Sequence, residues 1–164
     1  ERTIWLGASP EHAFAWLDDQ ARLAGHMSQP SWRTGWGVMT FTFDAGQGRV
    51  PGALITLRGR VFGLTLFVQE VVRDYNPPHR KVWETVGTPR LLVIGKYLMG
   101  FELTPVGPGC RLHLFIDYSL PGNGFIRWLG RWLGPYYARW CVNRMGDDVL
   151  AAFPVRGADP DTDT

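Results

Sequence analysis

The sequence predicts an α+β domain: an antiparallel sheet of about seven strands, two short helices near the start and one long helix at the end. Three observations predict it. Apolar residues alternate with a period of two over most of the stretch from Val38 to Leu120, they recur every three or four residues from Leu129 to Phe153, and a helix start is written at Ser9-Pro10-Glu11. The chain has 164 residues, the length of one core, because single cores stop growing only beyond roughly 250 residues. Its 45% apolar content is enough to build that core without staples, and 20 Gly, 12 Pro and 13% aromatics exclude a disordered or low-complexity chain.

Thr3 to Gly7 reads as a short strand, and Ser9 as an N-cap with Pro10 at the first helical position and Glu11 in the first turn. Ala13, Phe14 and Leu17 give that helix its apolar face. Asp18-Asp19 then cap a second short helix with Leu23, Ala24 and Met27 inside. Ser28 to Gly37 is loop-like, although its Trp32 and Trp36 call for cover. Val38 to Phe43 alternates as a strand and is closed by the turn residues Asp44 to Gly48. Ile55, Leu57, Gly59 and Val61 then form one face of the next strand, with Thr56, Arg58 and Arg60 on the other, towards solvent. Leu64 to Tyr75 is a long strand stopped by Asn76-Pro77-Pro78, and Lys81 to Val86 a strand that ends at Gly87-Thr88-Pro89. Both faces of the former are apolar, so periodicity leaves the direction of Glu70 open. In the last two strands Tyr97, Met99, Phe101 and Leu103, then Leu112, Leu114, Ile116, Tyr118 and Leu120, share the inner face; Arg111, His113, Asp117 and Ser119 fall outside. The terminal helix carries Leu129, Leu133, Tyr136, Trp140, Cys141, Met145, Val149 and Phe153, with a kink or restart expected at Gly134-Pro135. Residues 1–153 thus form one domain, and 154–164, with three aspartates, a loose acidic tail.

The formal charge of +2 falls on residues 1–82, with 0 on 83–164, so neither half carries a strong field, which argues against a surface that tracks nucleic-acid phosphates. Cys110 and Cys141 read as free thiols: no secretory segment precedes them in this sequence and a chain of this size needs no staple, so a cytoplasmic setting is expected. Residue 1 is Glu rather than Met, which reads as a trimmed start. The longest apolar run, Leu91 to Ile94, is far below the ~20 residues that cross a bilayer.

The order strand, two short helices, antiparallel strands and long terminal helix is that of the helix-grip fold, a curved sheet wrapped around its last helix. The segment Ala8-Ser9-Pro10-Glu11-His12-Ala13-Phe14-Ala15-Trp16-Leu17 resembles the opening of the START-like (SRPBCC) superfamily. Asp74-Tyr75-Asn76-Pro77-Pro78-His79-Arg80 resembles its acidic double-proline turn, and Tyr97 to Leu120 its last hairpin; the polyketide cyclase/dehydrase-like group is the most similar. This resemblance implies an apolar cavity between sheet and helix, holding a hydrophobic small molecule that is lipid-, polyketide- or aromatic-like. Its lining would come from Ile55, Leu57, Val61, Tyr97, Met99, Phe101, Leu114, Ile116 and Tyr118 of the sheet and Tyr136, Trp140 and Met145 of the helix. Core packing is the competing reading of each aliphatic residue, whereas the hydroxyls of Tyr97 and Tyr118 need partners wherever they are buried.

No catalytic residue is assigned from the sequence. A cyclase or dehydratase acting without metal would need an acid or base in the cavity, and Glu70 or Glu84 could serve only if the strand phase turned them inward, with Tyr97 and Tyr118 as orienting groups. His113 and Asp117 share the solvated face. The four histidines show no ligand spacing, the glycines at 46, 48 and 52 lack a phosphate-loop setting, and no G-x-S-x-G is present, so neither metal nor cofactor is expected. Phe125 to Arg144 carries Arg127, Arg131, Arg139 and Arg144, three tryptophans and no acid. Two readings stand: a core helix whose arginines cover its wet side, which the pattern favours, and a peripheral contact with an anionic membrane or a partner protein. The oligomeric state is not written in the sequence.

Overall fold

The computed structural model describes residues 1–19, 38–61, 64–91, 93–122 and 124–154. Its elements are β1 (Arg2–Leu6), α1 (Pro10–Leu17), β2 (Val38–Phe43), β3 (Leu54–Val61), β4 (Leu64–Asn76), β5 (Arg80–Arg90), β6 (Tyr97–Val106), β7 (Gly109–Tyr118) and α2 (Gly124–Ala152). The seven strands form one antiparallel sheet in the order β1-β7-β6-β5-β4-β3-β2, so the chain meanders from β2 to β7 and β1 closes onto β7. α1 packs on β6, and α2 lies against β1 and β7. The expected second helix, the Trp32/Trp36 loop and the acidic tail from residue 155 lie outside the described residues.

The period-two pattern sets which face is inside. Phe101, Leu112 and Leu114 are fully buried and pack with Ile4, Leu6, Phe14, Leu17 and Trp83 of the sheet and α1, and with Val142, Met145 and Val149 of α2. Burying each such side chain contributes about 1.5–3 kcal/mol. A second cluster, Ala53, Ile55, Leu57, Val68 and Val72, covers the inner face of β3 and β4; Tyr75 and Tyr97 touch both clusters. The turn before β3 is tied by Asp44, whose carboxylate accepts from Gly46 N at 2.9 Å and Leu54 N at 2.8 Å. Cys110 and Cys141 are both free and buried.

Two expectations are corrected. β5 does not end at Gly87: it continues to Arg90, and the register against β4 slips between Phe67 and Gln69, with Gly87 at φ 66° inside the slip. A bulge absorbs the breakers without ending the pairing, as bulges do at strand prolines. The long helix does not restart at Gly134-Pro135 either, since α2 is continuous over 29 residues with Pro135 in its interior. Proline there removes one hydrogen bond out of a long ladder, and packing on both sides of it holds the helix together.

Candidate functional site

Pairing of the five central strands stacks their inner residues into transverse rows. One row crosses β3 to β7: Ile55 pairs with Glu70, Glu70 with Thr85, and Tyr97 with Tyr118, while Tyr97 N donates to Thr85 Oγ1 at 3.2 Å. Four of these five side chains are polar, although the row faces inward. The next row, Ala53, Val72, Trp83, Met99 and Ile116, is wholly apolar. Glu70 therefore sits on an oily wall, 4% exposed, and its Oε1 accepts a hydrogen bond from the Tyr97 hydroxyl. α2 closes this row from above. Gly134 lies on the ring of Tyr118, where a Cβ would come 3.0 Å from Cε2, and Tyr137 and Cys141 lie near Tyr97.

The electrostatics follow from burial. Loss of water disfavours the carboxylate of Glu70 and pushes its pKa up to about 7, against the opposing pull of the Tyr97 hydroxyl and the Lys81 charge. Tyr97 is driven well above its ordinary value by burial and by Glu70 beside it, so it remains a donor. Burial likewise raises Tyr137, and raises Cys141 to about 12. The row offers a carboxyl that exchanges its proton near neutrality next to a phenol that keeps its own.

A second buried polar group lies two rows away. Lys81 is fully buried and donates to Asp18 Oδ1 at 2.6 Å; Asp18 Oδ2 also accepts from Tyr75 at 3.1 Å and pairs with Arg49 at 3.0 Å. Burial lowers the pKa of Lys81, and Asp18 opposes that shift. Asp18 caps the C-terminus of α1, so this cluster pins that helix to β4 and β5.

The structure turns Ile55, Leu57, Tyr97, Met99, Phe101, Leu114, Ile116 and Tyr118 inward, with Phe101, Leu114 and Met145 inside the packed core. The Val61 side chain lies outside the described residues. Glu70 points in; Glu84 points out and pairs with Arg73 at 3.3 Å. The expectation for Tyr136 and Trp140 is corrected: both face outwards, 75% and 38% exposed. In its first half the face that α2 buries is instead a track of small residues, Gly130, Gly134 and Ala138, each four apart, which leads into the buried Val142, Met145 and Val149 of the second half. A Cβ on Gly130 would stand 2.5 Å from Pro121 Cδ, so only this track admits such close approach. The helix does pack into the core through Val142, Met145 and Val149 with its arginines exposed, and its wet side carries Trp128, Trp132 and Tyr136 beside them.

Thr85, Lys81, Asp18, Tyr75 and Tyr137 were not anticipated as site residues. Alternation of Lys81, Trp83 and Thr85 carried the signal for two of them. The outer face of β3–β5 has a shallow depression of about 440 Å³ lined by Arg58, Thr65, Leu66, Phe67, Thr88 and Arg90, with Arg58 over the Phe67 ring at 5.3 Å. Among the described residues no three metal-ligating side chains cluster, and no helix is long and apolar enough to cross a membrane.

Comparison with known proteins agrees with this architecture. The family model described as polyketide cyclase / dehydrase and lipid transport matches residues 1–148. No curated protein sequence matches the chain. Among solved structures, a Rhodobacter sphaeroides protein is 25% identical over 92% of this chain and 91% of its own, with a TM-score of 0.55. Ara h 8.0201 is 11% identical over 92% and 95%, with a TM-score of 0.60. StfQ, a di-domain ARO/CYC protein of the steffimycin biosynthetic pathway, is 13% identical over 93% of this chain but 49% of its own, with a TM-score of 0.60. These likenesses show the helix-grip fold expected from the order of elements.

Proposed function

The chain belongs to the polyketide cyclase/dehydrase and lipid transport family, and from that premise we propose that it binds a hydrophobic small molecule, polyketide-, aromatic- or lipid-like, against the inner face of the sheet. The observation that carries this reading is the buried Glu70–Tyr97 pair on a wall otherwise lined by Ile55, Leu57, Val68, Val72 and Met99. Apolar walls with a few convergent polar groups are the make-up of small-molecule sites. A ligand hydroxyl or carbonyl would join the pair: Tyr97 donates, and Glu70 accepts or donates according to its proton. The free, buried thiols at Cys110 and Cys141 support the cytoplasmic setting expected from the sequence.

A cyclase- or dehydratase-type activity is the second reading, favoured by a carboxyl raised to about 7 and by the likeness to an ARO/CYC protein. In a dehydration, the Glu70 carboxylate would take a proton from the carbon beside a carbonyl. The electron pair forms the new double bond as the β-hydroxyl leaves, and the proton passes from Glu70 to that oxygen to give water. The Tyr97 hydroxyl, turned from Glu70 to the substrate, would hold the carbonyl.

Native mass spectrometry with 2-naphthol as probe tests the binding reading. Wild type is expected to carry one probe molecule and Tyr97→Phe to carry it roughly tenfold more weakly, the loss of one buried hydrogen bond. A bare protein mass at saturating probe contradicts it. For the enzyme reading, a β-hydroxy-ketone substrate should be dehydrated by wild type and bound but left intact by Glu70→Gln; equal turnover by both would refute the role of Glu70.

A further inference from the structure

The small-residue track that α2 turns inward leaves its largest side chains outside. Trp128, Trp132, Tyr136 and Trp140 stand four residues apart and form one ridge, 56%, 64%, 75% and 38% exposed, with Leu133 beside it at 45%. At 1.5 Å per residue the ridge is about 18 Å long. Three of the four aromatics directly follow an exposed arginine, giving Arg-Trp at 127–128, 131–132 and 139–140, and no acid occurs in α2 before Asp147. Arg144 pairs with Asp148 at 3.6 Å, and Arg2 reaches Asp147 at 2.8 Å, so the two acids of the helix are engaged at its far end.

We propose that this ridge is a docking surface for an anionic lipid bilayer, on which α2 lies in the plane of the headgroups. Trp and Tyr rings are the side chains that settle at the level of lipid headgroups, with an apolar body and a polar tip. Arginines set one residue before them put a guanidinium within reach of lipid phosphates, which it grips through paired donors. Charge also decides against the obvious alternative, a second copy of this chain. A two-fold dimer through the ridge would place the same surface on both sides, facing Arg127, Arg131 and Arg139 of one copy with those of the other and no carboxylate between them. A bilayer supplies the opposite charge. The glycine track makes the arrangement obligatory rather than incidental: rotating α2 to bury its tryptophans would bring bulk to the place where Gly130 and Gly134 touch Pro121 and Tyr118. Docking on this face does not depend on what the interior holds.

Vesicle co-sedimentation tests the proposal, with pure phosphatidylcholine compared against phosphatidylcholine containing about one-third phosphatidylglycerol. Wild type is expected to pellet with the anionic vesicles alone, to be released by raised salt, and to shift its tryptophan emission to the blue. Arg127→Gln with Arg131→Gln should weaken binding roughly thirtyfold, about fivefold per arginine. Trp132→Ala with Tyr136→Ala should abolish the shift, while circular dichroism of both variants stays that of wild type. Wild type that remains in the supernatant at low salt, or double variants that pellet as wild type does, would overturn the proposal. So would a concentration-dependent dimer in sedimentation velocity that Trp132→Ala with Tyr136→Ala dissolves, because the ridge would then be an interface between copies.

Discussion

Replacing Glu70 by Gln isolates the energetic consequence of a carboxyl buried on an apolar wall. Gln is nearly the same size, and its carbonyl oxygen can accept from the Tyr97 hydroxyl. An ordinary carboxyl value of 4.5 rises to about 7 in the folded protein. Between these two values the folded state holds a proton that the unfolded chain has already released, so the unfolding free energy falls as pH rises through this window. Below 4.5 both states are protonated and above 7 both are ionised, so the loss is confined to that interval and amounts to about 3 kcal/mol. The amide of the Glu70→Gln variant has no proton to lose and escapes this penalty. The variant should match wild type near pH 4.5 and exceed it by about 3 kcal/mol at pH 8, with every other titrating group common to both proteins. Urea unfolding at intervals from pH 4.5 to 8.5 measures the gap directly. In thermal scans it corresponds to roughly 6–12 °C, at about 2–4 °C per kcal/mol for a chain of this size. A gap that does not change with pH, or a variant weaker than wild type at pH 8, would refute the assignment of Glu70 as a buried, reluctantly ionised group.

Other perturbations probe the neighbouring structure. Asp18→Asn leaves the Lys81 charge buried with a poorer partner and should cost about 3–5 kcal/mol, whereas Lys81→Met leaves Asp18 with Arg49 and Tyr75 and should cost clearly less; equal losses in denaturant titrations would contradict this polarity. Gly100→Ala sets a Cβ 2.7 Å from the Lys81 carbonyl and 2.8 Å from Phe115 Cζ, and is expected to cost about 1–3 kcal/mol with no change in far-UV circular dichroism. Gly130→Leu drives a side chain into Pro121 and should loosen the start of α2, seen as faster amide exchange from residue 124 to about 134; unchanged exchange there would show that the small-residue track does not set the helix position.

The sheet was legible because its strands are wet on one face, so period two marked Ile55, Leu57, Tyr97, Met99 and Phe101 as inner residues without any knowledge of their neighbours. Glu70 was not legible, since β4 has apolar residues on both faces, Val68 and Val72 within and Phe67 and Val71 without; only its pairing with Ile55 and Thr85 fixes its direction. The end of β5 escaped for a similar reason, because a bulge is a property of two strands in register rather than of Gly87-Thr88-Pro89 alone. In α2 the hydrophobic pattern placed Cys141, Met145 and Val149 rightly inside, but in the first half it pointed to Leu133, Tyr136 and Trp140, which are exposed. Apolar size predicts burial only where there is room for it, and here the neighbours Pro121 and Tyr118 come so close that glycine and alanine go inside and tryptophan stays out.

The inner polar row is the centre of this account, and the location of a bound ligand tests it most directly. Methyl and aromatic NMR spectra recorded while 2-naphthol is added should show the largest shifts at Ile55, Leu57, Tyr97 and Met99, with the Tyr97 ring signals losing their response in Glu70→Leu. Shifts confined to the Arg58–Phe67–Arg90 depression or to the Trp132–Tyr136 ridge, with the row silent, would contradict it.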